Sequence, residues 1–253
     1  MSISVGPAYA FLFLLVFARI GTMVMILPGL GARGISSRAR LVFALLITLL
    51  LMPALSDLAP EVDIPLSAMI VSLVREVIIG AALGLAIRII MGAIQVAATT
   101  IAFQMGLGFA TNIDPTLGIQ GVMFSSFMAI LATTLIFATD THHLLIVALY
   151  DSYALFPAGN MPPVGDFTQY ALDTATASFR VAMQMSAPFI LFGIIFYLGM
   201  GVLSRMIPQI QVFFISMPVS ITLGFLVMVA TLAVMMEWFM AHLQSGIAPL
   251  IVR

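Results

Sequence analysis

Apolar residues run along this chain in long blocks, broken by short polar islands. Ala8 to Leu27 is an apolar run interrupted by Arg19, and Leu41 to Leu55 is a second run without a charged residue. Leu66 to Ile90 follows, then Ile89 to Ile113 and Pro115 to Thr139, two runs without a charged residue. Blocks of this kind, near the ~20 residues that cross a bilayer, predict membrane helices. Between the first two, Pro28 to Arg40 carries glycines, a proline and the cations Arg33, Arg38 and Arg40. It reads as a cytoplasmic break under the positive-inside rule, which puts the N-terminus on the far side. Asp57 to Pro65, acidic and proline-containing, reads as an outer loop. Later in the chain, Asp140 to His143 forms a polar island before a helix to Phe156, and Pro157 to Asp166 is a Pro-rich loop. Phe167 to Leu203 predicts a long helix with Asp173 and Arg180 near its start and Pro188 inside. After a tight polar turn over Ser204 to Gln211, Val212 to Phe239 returns, with Pro218 permitting a kink and Glu237-Trp238 as an interfacial anchor.

The expected fold is an all-α membrane protein with about six hydrophobic helices arranged as hairpins around an irregular glycine-rich middle. Composition agrees: 62% of the residues are hydrophobic and 8% charged, against roughly 45–50% and 25% in soluble domains. The 253 residues leave no room for a separate soluble domain. All cations are arginines without a basic cluster, so nucleic acid is not an expected partner. Zero cysteines exclude a disulfide framework and thiolate metal sites. The first cation is Arg19, so the first apolar run reads as a retained helix and not a cleaved signal.

Within the third block, Glu76, Gly80, Gly84, Arg88 and Gly92 recur at spacing four. Gly80 and Gly84 make a small-xxx-small surface on which another helix can pack closely. Arg75 and Glu76 are adjacent, so they point about 100° apart and cannot simply pair with each other. The charges on this ridge need a protein-facing environment. Two roles stand open for them, neutralisation inside a static bundle or participation in proton or substrate movement.

Gln104 to Gln120 breaks the rules for a membrane helix. Gly106, Gly108 and Gly118 loosen the backbone, Pro115 removes an N–H, and Asp114 places a charge where charge is costly. Irregular backbone at membrane depth persists only if buried in protein or lining a wet cavity. The stretch therefore lies either inside a channel-like assembly or in a polar loop outside the bilayer. Its apolar members Met105, Leu107, Phe109 and Ile113 suit a compliant closure. The 19 methionines otherwise suit ordinary helix packing. His142 and His143 are adjacent and should face different ways on a helix. With no zinc-type ligand spacing, no metal site is expected there, and a polar interfacial cap is the favoured reading.

The ordered set of motifs resembles the FliR/SctT family of type III secretion export-gate subunits. The matching pieces are Arg19-Ile-Gly, Pro28-x-x-Gly31 with Arg38 and Arg40, and Glu76-x-x-x-Gly80-x-x-x-Gly84. They continue with Gln104-x-Gly106-x-Gly108-Phe109-Ala110-x-x-x-Asp114-Pro115, then Arg205-x-x-Pro208-Gln209-x-x-Val212-Phe213 and Pro218. The resemblance implies a cofactor-free, non-enzymatic subunit of the bacterial inner membrane and flagellar basal body. It implies assembly with FliP and FliQ into a closed spiral of helical hairpins, surrounded by membrane lipid and close to FlhB and FlhA. Exported flagellar proteins pass through the centre. Residues from about 1 to 166 would be FliP-like, and 167 to 253 a FliQ-like hairpin. The glycine-rich stretch would plug the pore, and the turn at Arg205, Pro208 and Gln209 would lie at the cytoplasmic entrance. Use in a virulence injectisome is the near alternative.

Two other classes fit less well. A small-solute transporter would show matching interrupted helices in two halves, and only one such interruption is present. An intramembrane aspartyl protease is suggested by Tyr150-Asp151, but Val164-Gly165-Asp166 lacks the first glycine of the required second motif.

Overall fold

A computed structural model describes residues 6–27, 36–56, 65–107, 119–159, 164–207 and 212–252. Among the described residues there are seven α-helices and no strands: α1 Pro7–Ile26, α2 Ser37–Leu51, α3 Leu66–Gln104, α4 Ile119–Ala138, α5 His142–Leu155, α6 Val164–Met206 and α7 Val212–Ile247. A short 3₁₀ turn, Ala248–Leu250, follows. Four of the helices (α1, α3, α6 and α7) are long and apolar enough to cross a membrane, and α4 with α5 supplies a fifth span if the broken pair counts as one.

Three helices run further than hydropathy blocks suggest. α3 is one helix of 39 residues, joining the block that ends at Ile90 to the next one. At 1.5 Å per residue it is about 58 Å long, roughly twice the ~30 Å hydrocarbon core. Arg88 does not interrupt it, since arginine is a good helix former. α6 extends to Met206, so Ser204 and Arg205 belong to its last turn. α7 continues past Glu237-Trp238 to Ile247.

The chain packs as two compact units. The first comprises residues 1–90, 139–175 and 244–253, the second 91–138 and 176–243. In the first unit the buried stripe of α1 is Leu12, Leu15, Val16, Arg19, Ile20 and Met23, at the i, i+3, i+4, i+7 spacing of one helix face. Arg19 thus occupies a core position. α3 answers with Glu76, Ile79, Leu83, Ile87 and Ile90. α2 packs against α1, and the C-terminal turn packs on α5, where the Val252 amide donates to Asp151 Oδ2 at 2.9 Å. In the second unit the same helical spacing continues through Ile94, Ala97, Ala98, Ile101 and Met105. Met128, Met185, Met228 and Met235 fill this core, so these methionines do the packing work of an apolar interior.

Hydroxyls on the apolar helices are satisfied locally. Thr22, Thr48, Thr99, Thr133 and Thr231 each donate to the carbonyl four residues earlier, at 2.7 to 2.8 Å. With no water at hand in hydrocarbon, this back-bonding removes the cost of an unpaired hydroxyl.

Gly80 and Gly84 are where α3 meets α1. A Cβ at Gly80 would collide with the Arg19 carbonyl, and one at Gly84 would lie 3.0 Å from Ile26 Cβ and 3.2 Å from the Met23 carbonyl oxygen. Residue numbers rise together across this contact, so the two helices run parallel there. Gly92, the last member of the ridge, has open space around it. Gly80→Ala should therefore lower the thermal stability of the detergent-solubilised protein sharply. Gly92→Ala should leave it unchanged or raise it slightly, since alanine is favoured over glycine in a helix by up to about 1 kcal/mol. Equal melting temperatures for the two variants would contradict the packing.

Candidate functional site

In the first unit a buried guanidinium links three helices. Arg19 and Glu76 are both fully buried. Arg19 Nε donates to Glu76 Oε2 at 2.6 Å and Nη2 to Oε1 at 3.1 Å, a two-pronged pair. Nη1 donates to the carbonyl and hydroxyl oxygens of Ser152, at 3.0 and 3.2 Å. Nη2 also donates to the Phe156 carbonyl at 2.8 Å. A guanidinium has about five N–H donors, and here every one has an acceptor. Ser152 gives its own proton to the Leu149 carbonyl at 2.7 Å, which leaves its lone pairs for Arg19. The Tyr153 ring lies beneath, 3.9 Å from ring centroid to Arg19 Cζ, a cation–π contact.

Glu76 has one further partner, the Gly159 amide at 2.9 Å. Arg75 Nη1 donates to the Gly159 carbonyl at 2.8 Å. The neighbouring side chains that diverge on α3 thus converge on the two polar groups of one peptide residue. Gly159 has φ of +79°, a region that favours glycine. Charge, hydrogen bonds and burial all balance here, which is the arrangement of a structural clamp. Arg88 is exposed and takes no part in it.

The Tyr153 hydroxyl is buried and has no hydrogen-bond partner among the described residues. Tyr153→Phe keeps the ring under Arg19 and removes only the unpaired group. It should melt at or above the wild-type temperature, because an unsatisfied buried hydroxyl costs about 1–3 kcal/mol. A marked fall would mean that the hydroxyl has a partner.

The second unit holds the start of the irregular middle. α3 ends at Gln104. The Gly106 amide bonds to the Phe103 carbonyl at 3.1 Å and the Leu107 amide to the Ala102 carbonyl at 2.9 Å. With Gly106 at φ +83°, this is a Schellman cap, closed by a left-handed glycine. Met105 is fully buried, and a Cβ at Gly224 of α7 would come within 2.6 Å of its Cγ. The Ser220 hydroxyl lies within hydrogen-bond reach of two carbonyls, Met105 at 3.2 Å and Met217 at 3.0 Å. Gln104 lies against Gly193 of α6, where a Cβ would collide with its amide. So Gln104, Met105, Gly106 and Leu107 form an ordered cap. Gly108, Phe109, Ile113, Asp114 and Pro115 lie outside the described residues, as do Pro208 and Gln209 at the expected entrance. Arg205 is exposed on the last turn of α6.

The expectation that His142 and His143 face apart does not hold. At the first turn of α5 their ring centroids are 4.1 Å apart and tilted by 33°. The reason is local: Asp140 has φ of +56°, so the chain enters the helix through a sharp turn, and the side chains fold onto one another. Asp140, His142 and His143 each bring one ligand atom within 4.8 Å of the others.

Among the described residues, seven helices, four to five apolar spans and a fully paired buried arginine define a polytopic membrane protein. The sequence matches the family described as bacterial export proteins, family 1, over residues 10–246, and the chain belongs to it. It is 36% identical to the flagellar biosynthetic protein FliR of Caulobacter vibrioides over 225 residues, 88% of this chain and 90% of that one. It is 30% identical to FliR of Bacillus subtilis, covering 88% and 86% of the two chains. Identity to Escherichia coli FliR is 29%, covering 90% and 87%.

Proposed function

We propose that this chain is a subunit of the flagellar type III protein export gate, forming with FliP and FliQ the closed pore that passes unfolded flagellar subunits. The observation that carries the reading is the family match along residues 10–246, together with flagellar relatives of nearly the same extent. Those relatives favour flagellar over injectisome use. The packing is compatible with a shared assembly. The apolar windows of α6 and α7 are only 17% and 28% buried within this chain, against 56% in α3. Leu191, Ile195, Leu198, Phe214, Leu226 and Val229 all point outward. Such surface is covered by lipid or by neighbouring subunits, and the proposal assigns part of it to FliP and FliQ. The assembly stands in the bacterial inner membrane at the flagellar basal body. FlhB and FlhA lie at its cytoplasmic side, near Arg205, Pro208 and Gln209.

Within this proposal the stretch from Gln104 to Pro115 supplies the plug, with Met105 and the Gly106 cap as its anchor and Gly108 to Pro115 as its closing part. Residues from about 1 to 166 play the FliP-like part and the α6–α7 hairpin the FliQ-like part. The chain carries no chemistry of its own. The direct test is a tagged copy solubilised in mild detergent. It should bring out two further small membrane proteins, and its deletion should stop secretion of flagellar subunits into the medium. A purified chain that moves a small solute across vesicles without partners would replace the export reading with a transporter.

A further inference from the structure

We propose that Asp140, His142 and His143 form a surface site for a borderline divalent metal, with zinc as the expected ion. The site shares no residue with the buried arginine clamp, and it does not rest on the export reading. Two imidazoles and a carboxylate suit zinc, which takes nitrogen and oxygen donors in a four-coordinate shell. Three protein ligands leave one position for water.

The geometry is close to what an ion requires. The three ligand atoms already lie within 4.8 Å of one another, and His143 Nδ1 is 3.9 Å from Asp140 Oδ1. Bonds of about 2.0–2.1 Å in a tetrahedral shell put neighbouring donors about 3.3 Å apart. Asp140 and His143 are largely exposed, at 77% and 65%, so small side-chain rotations bring them in without disturbing packing. The backbone at Asp140, at φ +56°, holds the carboxylate beside residues that follow it by only two and three positions.

The composition makes the site unusually easy to isolate. The chain has three histidines and no cysteine. The third, His242, is buried in the second unit, with Nε2 2.9 Å from the Ser178 hydroxyl. Imidazole-dependent zinc binding therefore has one origin.

The experiment is zinc titration of the full-length chain, purified through a tag without histidines, in competition with a chromophoric chelator. Any subunits that purify with it are kept in both wild-type and variant preparations. Wild type should bind one more zinc per chain than His142→Asn/His143→Asn, at micromolar free metal. Asp140→Asn should weaken binding without unfolding the turn, because asparagine tolerates the left-handed region well. Size-exclusion profiles should match across all three proteins. Equal zinc uptake by wild type and the double variant overturns the site. So does unchanged affinity in Asp140→Asn, which would remove the carboxylate from the shell.

Discussion

Replacing Glu76 by leucine should prevent this protein from accumulating as a folded chain. The substitution leaves the Arg19 guanidinium fully buried with carbonyl and hydroxyl acceptors but no countercharge. It also removes the acceptor of the Gly159 amide. Breaking one side of a buried pair typically costs about 3–5 kcal/mol, a large share of the roughly 5–15 kcal/mol that holds a protein folded. Arg19→Leu should be comparably damaging, since it leaves a buried carboxylate. The double variant Arg19→Leu/Glu76→Leu should recover much of the loss, because exchanging a whole buried pair for apolar residues is often near neutral. The measurements are the membrane level of the full-length chain and its melting temperature in detergent. Should Glu76→Leu accumulate and melt like wild type while secretion stops, the carboxylate has a role in transport and the clamp reading fails.

That clamp shows what the sequence carried and what it could not. Arg19, Glu76, Gly80 and Gly84 stand out because charge and glycine are conspicuous in apolar helices. The helix contact at Gly80 and Gly84 was legible as a surface, while its partner was not. Spacing along one helix says which residues share a face but nothing of which helix lies opposite. Arg19 and Glu76 are 57 positions apart, and only the fold brings them together. Gly159 escaped notice because its contribution is a backbone amide and carbonyl, which no side-chain pattern reveals. Blocks of bilayer length divide α3 at Ile90, whereas its helix propensity runs on unbroken to Gln104. At His142 and His143, the 100° rule for neighbouring positions failed because they sit at a helix start, entered through the left-handed Asp140. α3 ends at Gln104, the first residue of the stretch that reads as irregular. The first residues of that stretch nevertheless turn out to be a cap, with Gly106 read as loosened backbone where it closes the helix.

Exchanging residues 108–117 for a Gly/Ser stretch of equal length should make the membrane leak ions when the export complex is overproduced, while the complex still assembles. The cap at Gly106 and Leu107 sets the boundary of this exchange. Met105 is fully buried and fixed against Gly224, and the Leu107 amide is bonded back into α3, so these residues belong to the scaffold. The proposed closure then depends on the apolar side chains Phe109 and Ile113, which the exchange removes. A polar, flexible replacement keeps the connection between α3 and α4 but offers ions a wet path, where apolar side chains would exclude water. Gly106→Ala provides the contrast. Holding a residue with a Cβ in the left-handed region costs about 1–2 kcal/mol, and the added atom would lie 2.9 Å from the Ser220 hydroxyl oxygen. That variant should destabilise the end of α3 and lower the yield of complex without raising permeability per complex formed. Ion permeability measured against the amount of assembled complex separates the two effects. If the loop exchange leaves permeability at the wild-type level with the complex intact, the seal lies elsewhere in the assembly.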